Sequence, residues 1–173
     1  MKLKIAHLSF GLHDFDFEER IESFEVEGPE RFPRTIFVHV KVDKEPSNMM
    51  ITLTVRTKAH FVCDRCLGEF DREIEESSRI LYSREQPALE YSEYFREYDD
   101  EVRPYSPDMD ILDLTKDVRD TLLLAVPMKL LCKEECKGLC PICGANLNKE
   151  TCSCKVETID PRWEGLKKLL QDS

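Results

Sequence analysis

The chain has 173 residues, enough for one main domain with a small appendage. Its formal net charge of −10, from 35 acidic and 25 basic residues, argues against a surface coated in phosphate-binding charge but leaves room for a local basic face. No apolar run approaches the roughly 18–20 residues that span a bilayer. The opening MKLKIAHLSFGLHDFDF is cut by charge before reaching secretory length, so the expectation is a cytoplasmic chain with reduced thiols.

In chain order, residues 2–7 and 10–17 read as short strands, with Leu12, Phe15 and Phe17 as packing candidates. Residues 18–34 end in GPERFPR and read as a loop. His7 and His13 read as surface or hydrogen-bonded residues rather than ligands. Residues 35–43 alternate Ile36, Val38, Val40 and Val42 with Phe37, His39, Lys41 and Asp43, which predicts a half-buried strand. After a turn at 44–48, residues 49–63 alternate again, with Ile51, Leu53, Val55, Ala59 and Phe61 inward and Thr52, Thr54, Arg56, Lys58 and His60 outward. A third strand runs from about Phe70 to Tyr82, so Cys63 and Cys66 fall in the turn of a long β-hairpin.

Residues 84–109 are acidic and carry three prolines and four tyrosines, a composition that predicts a loosely held loop. From 84 to 120 there are twelve acidic and five basic residues. Residues 111–127 predict a helix capped by Asp110, with Asp113 in its first turn and Pro127 at its end. Its apolar face is Ile111, Leu114, Val118, Leu122 and Ala125. A second helix is expected near the C-terminus, with Asp160 as N-cap, Pro161 in the first position and Trp163, Leu166, Leu169 and Leu170 on one side. The fold class is therefore α+β: an antiparallel sheet with one packed helix over 1–127, then a cysteine-rich zinc-knuckle unit over 128–173.

All eight cysteines fall in two clusters: Cys63 and Cys66, then Cys132, Cys136, Cys140, Cys143, Cys152 and Cys154. Cys-Pro-Ile-Cys-Gly at 140–144 has the form of a zinc knuckle, in which two thiolates face one ion and the glycine closes the turn. In a reducing compartment, paired CxxC units read as metal ligands, and a lone redox CxxC near a βαβ pattern is not what this chain shows. The favoured cofactor is Zn2+ in two sites: Cys140, Cys143, Cys152 and Cys154 as a local unit, and Cys63 and Cys66 with Cys132 and Cys136. A single site with spare thiols, or Cys63 and Cys66 joined to Cys140 and Cys143, are the alternatives that spacing leaves open. Four thiolates leave no position for water, so the expected role is structural. The sequence contains no phosphate-binding glycine loop, HExxH or serine-nucleophile motif.

Taken together, CDRCLGEF, ILDLTKDVRDTLLLAVPMKLLC, CKGLCPICGANLN, CSC and DPRWEGLKKL, in this order and spacing, resemble the YceD family, the large ribosomal RNA subunit accumulation proteins of bacteria and plastids. The resemblance covers the chain from about residue 35 onward. It implies ribosome biogenesis, through accumulation and processing of 23S ribosomal RNA, and maps the family's two cysteine groups onto Cys63 and Cys66 and onto Cys132 to Cys154. It carries over no catalytic residue.

Two functions then compete. The first is a non-enzymatic, zinc-stabilised factor that binds precursor 23S rRNA, a large-subunit intermediate or a ribosomal protein, with Arg56, Lys58, Arg65, Lys133, Lys137, Lys149 and Lys155 meeting phosphates. The second is an acidic adaptor for a basic ribosomal protein without direct RNA contact. A metal-dependent hydrolase is the weakest reading, because closed thiolate sites offer no activated water. No membrane or small-molecule partner is expected.

Overall fold

The computed structural model describes residues 1–84, 101–106 and 109–154. The chain divides into two compact units, one of Met1–Phe61 with Phe70–Lys129, the other of Val62–Glu69 with Leu130–Ser173. The acidic stretch 85–100, Lys155 and the expected C-terminal helix lie outside the described residues.

The first unit is built on a five-stranded sheet in the order β2-β3-β4-β5-β6. Its strands are β2 (Gly11–Glu19), β3 (Ile36–Lys44), β4 (Asn48–Val62), β5 (Glu69–Ser83) and β6 (Glu101–Pro104). β2, β3 and β4 run antiparallel in an unbroken register, with Phe15 opposite Val40 and Val40 opposite Leu53. The alternation in β3 and β4 works as the pattern dictates. Ile36, Val38, Val40 and Val42 are buried, as are Met49, Ile51, Leu53, Val55, Ala59 and Phe61. Thr57 is the polar member of the buried row, and its hydroxyl donates to the Thr35 carbonyl at 3.0 Å, which makes its burial tolerable.

The sheet departs from the antiparallel expectation at its edge. β6 lies parallel to β5, with Ile80 opposite Glu101 and Tyr82 opposite Arg103. The expectation for Leu12 also fails: it is 60% exposed. Period two decides this. Phe15 and Phe17 stand opposite Val40 and Val38 on the core side, so Leu12, an odd number of residues away, must point outward opposite Asp43.

The helix is shorter than its pattern. Ile111–Asp113 forms strand β7, which pairs with β1 (Lys2–Lys4) in a separate two-stranded ladder with Leu3 opposite Leu112. Helix α1 then covers Thr115–Leu124. Asp110 is not its cap; the Asp110 carbonyl accepts the Ile5 N–H at 2.8 Å. Instead Asp113 Oδ1 accepts the backbone N–H of Thr115 at 3.0 Å and its hydroxyl at 2.6 Å, which serves the free donors at the helix start. Leu114, Val118 and Leu122 are fully buried as expected, whereas Ile111 is 48% exposed. Two polar ties hold α1 to the sheet: Ser78 and Thr121 share a hydroxyl hydrogen bond of 2.7 Å, and Arg103 on β6 pairs bidentately with buried Asp117.

The second unit has a different interior. Among its described residues, the buried side chains of hydrophobic type are Cys63, Cys66, Cys136 and Cys140, with no aliphatic or aromatic side chain among them. Val62, Leu67 and Ile142 are exposed.

Candidate metal centre

The tip of the β4–β5 hairpin turns tightly because Cys63 N–H bonds to Gly68 O at 2.9 Å and Leu67 N–H bonds back to Cys63 O at 2.9 Å. Leu67 takes a positive φ of 55° to close it. This presents Cys63 and Cys66 from one turn. The chain at 130–139 is laid against that turn by backbone and side-chain bonds. Asp64 and Leu130 exchange two, Asp64 N–H to Leu130 O at 2.8 Å and Leu130 N–H to Asp64 Oδ2 at 2.7 Å. Leu139 N–H reaches Arg65 O at 3.1 Å, and the Arg65 guanidinium donates to Cys136 O at 2.9 Å. Gly138 sits so close that a Cβ there would lie 3.0 Å from Arg65 O, and its φ of 76° is one that glycine tolerates.

The result brings together the sulfurs of Cys63, Cys66, Cys132 and Cys136, all within 4.8 Å of one another. A second set, Cys140, Cys143, Cys152 and Cys154, meets the same limit. Its knuckle is closed by Gly144 N–H to Cys140 O at 2.9 Å and Cys140 N–H to Ala145 O at 2.8 Å, with Gly144 at φ 72°. An isolated bridge between Leu139 and Asn146 zips the flanks.

The donor sets fit a tetrahedral thiophilic ion. Zn–S bonds of about 2.3 Å imply sulfur–sulfur edges of about 3.8 Å in a tetrahedron. Cys63 and Cys136 sulfurs are 3.8 Å apart, and Cys66 and Cys132 sulfurs 3.7 Å. A disulfide needs about 2.05 Å, and all eight cysteines are free. Burial is the strongest influence on Cys63 and pushes its thiol up, but backbone N–H groups of Cys132, Cys66 and Arg65 prevail and bring it to about 6. Cys136 is likewise lowered against burial, by the Asn148 amide and the Gly138 N–H. Cys132 is exposed as a residue, yet its sulfur is desolvated among the other three and is pushed up to about 12. In the second set the N–H groups of Cys143 and Ile142 bring Cys140 to about 6, while hydrogen bonding to Cys143, then burial, push Cys154 up to about 12. Thiols this crowded share protons unless a cation takes their place.

Residues 51–170 match the family described as large ribosomal RNA subunit accumulation protein YceD. The chain belongs to the YceD family. It is 27% identical over 154 residues to the large ribosomal RNA subunit accumulation protein YCED homolog 1, chloroplastic, of Arabidopsis thaliana, covering 76% of this chain and 47% of that protein. The Zea mays protein of the same name is 29% identical over 152 residues, covering 73% and 51% respectively. An uncharacterized Mycobacterium tuberculosis protein is 28% identical over 131 residues, covering 76% and 60%. The chain thus spans about half to three-fifths of the length of these relatives. No solved structure gives a significant match.

Within this YceD chain the basic residues singled out by sequence divide by environment. Arg56 stacks over the Phe37 ring at 5.9 Å, and Lys58 pairs with Asp71 at 3.5 Å beside His60, whose Nδ1 is 2.8 Å from Asp71 Oδ1. Arg65 is committed to Cys136 O, as described above. Lys133, Lys137 and Lys149 are exposed. The residues that sequence reasoning missed are Asp64 and Asn148, whose side chains bond to backbone and sulfur around the first set. Asn148 carried a faint signal, since asparagine two residues after Asn146 in a knuckle loop is a turn-forming type.

Proposed function

We propose that this chain is a ribosome biogenesis factor, acting in the cytoplasm as a zinc-stabilised binding protein that supports accumulation and processing of 23S rRNA and large-subunit assembly. The observation that carries the structural half is the pair of four-cysteine sets in a unit whose described residues bury no hydrocarbon side chain. Zn2+ bound there supplies charge neutralisation and a cross-link, and four sulfurs fill a tetrahedral ion, so no position is left to activate water and no enzymatic role is assigned. Cys63, Cys66, Cys132 and Cys136 would hold one ion, Cys140, Cys143, Cys152 and Cys154 the other. Membership of the YceD family and the names of its plant relatives support the ribosomal half. The RNA-facing residues in this reading are the exposed Lys133, Lys137 and Lys149, with Arg56, Lys58, Arg65 and Lys155 as further contacts. The test is deletion followed by sucrose-gradient analysis and precursor mapping. A deficit of large subunits with unprocessed 23S RNA is expected, and an unchanged profile removes the proposal.

A second reading is favoured by the outward face of the sheet. There Asp14, Asp16 and Glu18 of β2 stand opposite Lys41, His39 and Phe37, and Lys58 is already paired with Asp71. Such a face suits a basic ribosomal protein better than phosphate, which makes the chain an adaptor. Binding to isolated RNA that weakens steeply with salt favours the first reading; salt-insensitive or absent RNA binding favours the adaptor.

A further inference from the structure

The loop between Cys143 and Cys152 belongs by sequence to the second cysteine set, but one of its side chains serves the first. Asn148 Nδ2 lies 3.3 Å from the Cys136 sulfur. Asn148 Oδ1 accepts the Lys137 N–H at 3.0 Å. That donor fixes which end of the amide is oxygen, so the NH2 end must face the sulfur. A second amide hydrogen goes to Asn146 Oδ1 at 3.1 Å, and the same oxygen accepts the Asn148 backbone N–H at 3.0 Å. Asn146 is in turn the bridge partner of Leu139, and Leu147 N–H bonds to Gly138 O at 3.0 Å. Every polar end of the Asn148 side chain is therefore spoken for, and the loop that carries it is anchored at both ends by ligands of the second set.

We infer that Asn148 is a positioning residue of the first metal centre, donating to the Cys136 thiolate from a loop that the second centre holds in shape, so that the two centres bind metal cooperatively. This rests on the zinc reading above. An N–H donor aimed at a ligating thiolate stabilises its charge and fixes its direction, and partners of this kind typically contribute 10- to 100-fold to metal affinity. The coupling is reciprocal: whatever the second centre does for the first through this loop, the first does for the second.

The experiment is zinc competition with a chromophoric chelator on the full reduced chain. The first-centre pool is identified by its loss in Cys63→Ser, the second-centre pool by its loss in Cys143→Ser/Cys154→Ser. Asn148→Ala is expected to weaken the first-centre pool about 10-fold or more. Asn148→Asp keeps the size and the acceptor for Lys137 N–H but turns an anionic oxygen toward the sulfur, so it should weaken that pool further still. Emptying the second centre with Cys143→Ser/Cys154→Ser should lower first-centre affinity by a comparable factor. In both Asn148 variants the second-centre pool should still fill at excess zinc, with its affinity lowered by no more than the coupling factor, which would show that the knuckle still folds. First-centre affinity equal to wild type in Asn148→Asp overturns the inference, because a residue that merely fills space would be replaced by its isostere without loss. Loss of both pools in Asn148→Ala also overturns it, since the residue would then support the whole unit. A wild-type chain holding no zinc would sink the underlying zinc reading instead, whereas two ions per chain with no coupling would sink this inference alone.

Discussion

The two units reach order by opposite routes. In the sheet unit, long alternating strands bury Val38, Val40, Ile51, Leu53 and Val55 completely, and the backbone ladder follows from that burial. In the cysteine unit no described aliphatic or aromatic side chain is buried, and order comes from sulfur clusters, loop hydrogen bonds and two left-handed glycines, Gly138 and Gly144. The contrast teaches that burial pattern and ligand pattern are alternative sources of cohesion. A segment too small for a core can present a rigid surface if an ion replaces the missing hydrocarbon.

Chelation should have the largest effect, and it should fall on one unit only. Structural zinc sites of this type carry about 10–16 kcal/mol of apparent binding energy that doubles as folding energy. Hydrogen exchange on chelator-treated protein should show the amides of Leu139, Cys140 and Gly144 losing protection, while those of Val38 to Val42 keep theirs. Equal loss in both units would mean that the sheet also depends on the ion and that the two units do not gain order separately. The converse perturbation is Leu53→Ala. Removing that side chain from a fully buried site should cost about 2–5 kcal/mol. The loss appears in the thermal midpoint of the sheet, with zinc content unchanged at room temperature. A matching fall in zinc content would show the two units to be one cooperative structure.

Much of the sheet unit was legible in the sequence, because period-two alternation over β3 and β4 is a local signal imposed by one buried face. What escaped was non-local. Ile111, Leu112 and Leu114 fit a helical face as well as they fit a strand entering a helix, and only pairing with Lys2–Lys4, more than a hundred residues away, decides for the strand. Parallel strand β6 reads Glu-Val-Arg-Pro inside an acidic stretch and shows no alternation of its own; its partner β5 makes it a strand. The cysteines announced ligand chemistry at once, but spacing alone allows several groupings. The structure's arrangement follows from Asp64, Arg65 and Gly138, which seat the 130–139 segment on the hairpin tip. Those contacts have no sequence signature, since any polar turn contains such residues.

A smaller effect is expected at Gly138, which lies in the cysteine unit. Giving an L-residue left-handed backbone costs about 1–2 kcal/mol. Here a Cβ would also press on the Arg65 carbonyl at 3.0 Å. Gly138→Ala should speed zinc loss from the first centre and leave the sheet's thermal midpoint in place. In the sheet unit the same substitution type at Gly11, where φ is 112° and nothing lies within 4 Å of the added carbon, should leave zinc release untouched. If the two variants release zinc alike, close approach at the hairpin tip is not what holds the first centre together.

The smallest effect concerns charge, and it lies wholly in the sheet unit. Asp113 has its carboxyl held below the usual range, first by the Thr115 hydroxyl, then by the Thr115 N–H at the start of α1. A carboxyl lowered by folding adds stability that is present above its unfolded value, about 3.9, and is lost as pH falls through the folded one. Asp113→Asn keeps an oxygen that can accept both hydrogen bonds but has no charge to lose. The variant should therefore be less stable than the parent at pH 7, and the gap should close as the pH drops below 4. Chemical denaturation at a series of pH values reads this directly. A gap that stays constant down to pH 2 would assign the effect to hydrogen-bond geometry, leaving ionisation at the helix start without a part. The measurement is best followed by a signal from the sheet, because acid also protonates thiolates and would release metal from the cysteine unit. Monitored that way, the acid limb isolates the contribution of the helix start in the sheet unit from any loss of metal in the cysteine unit.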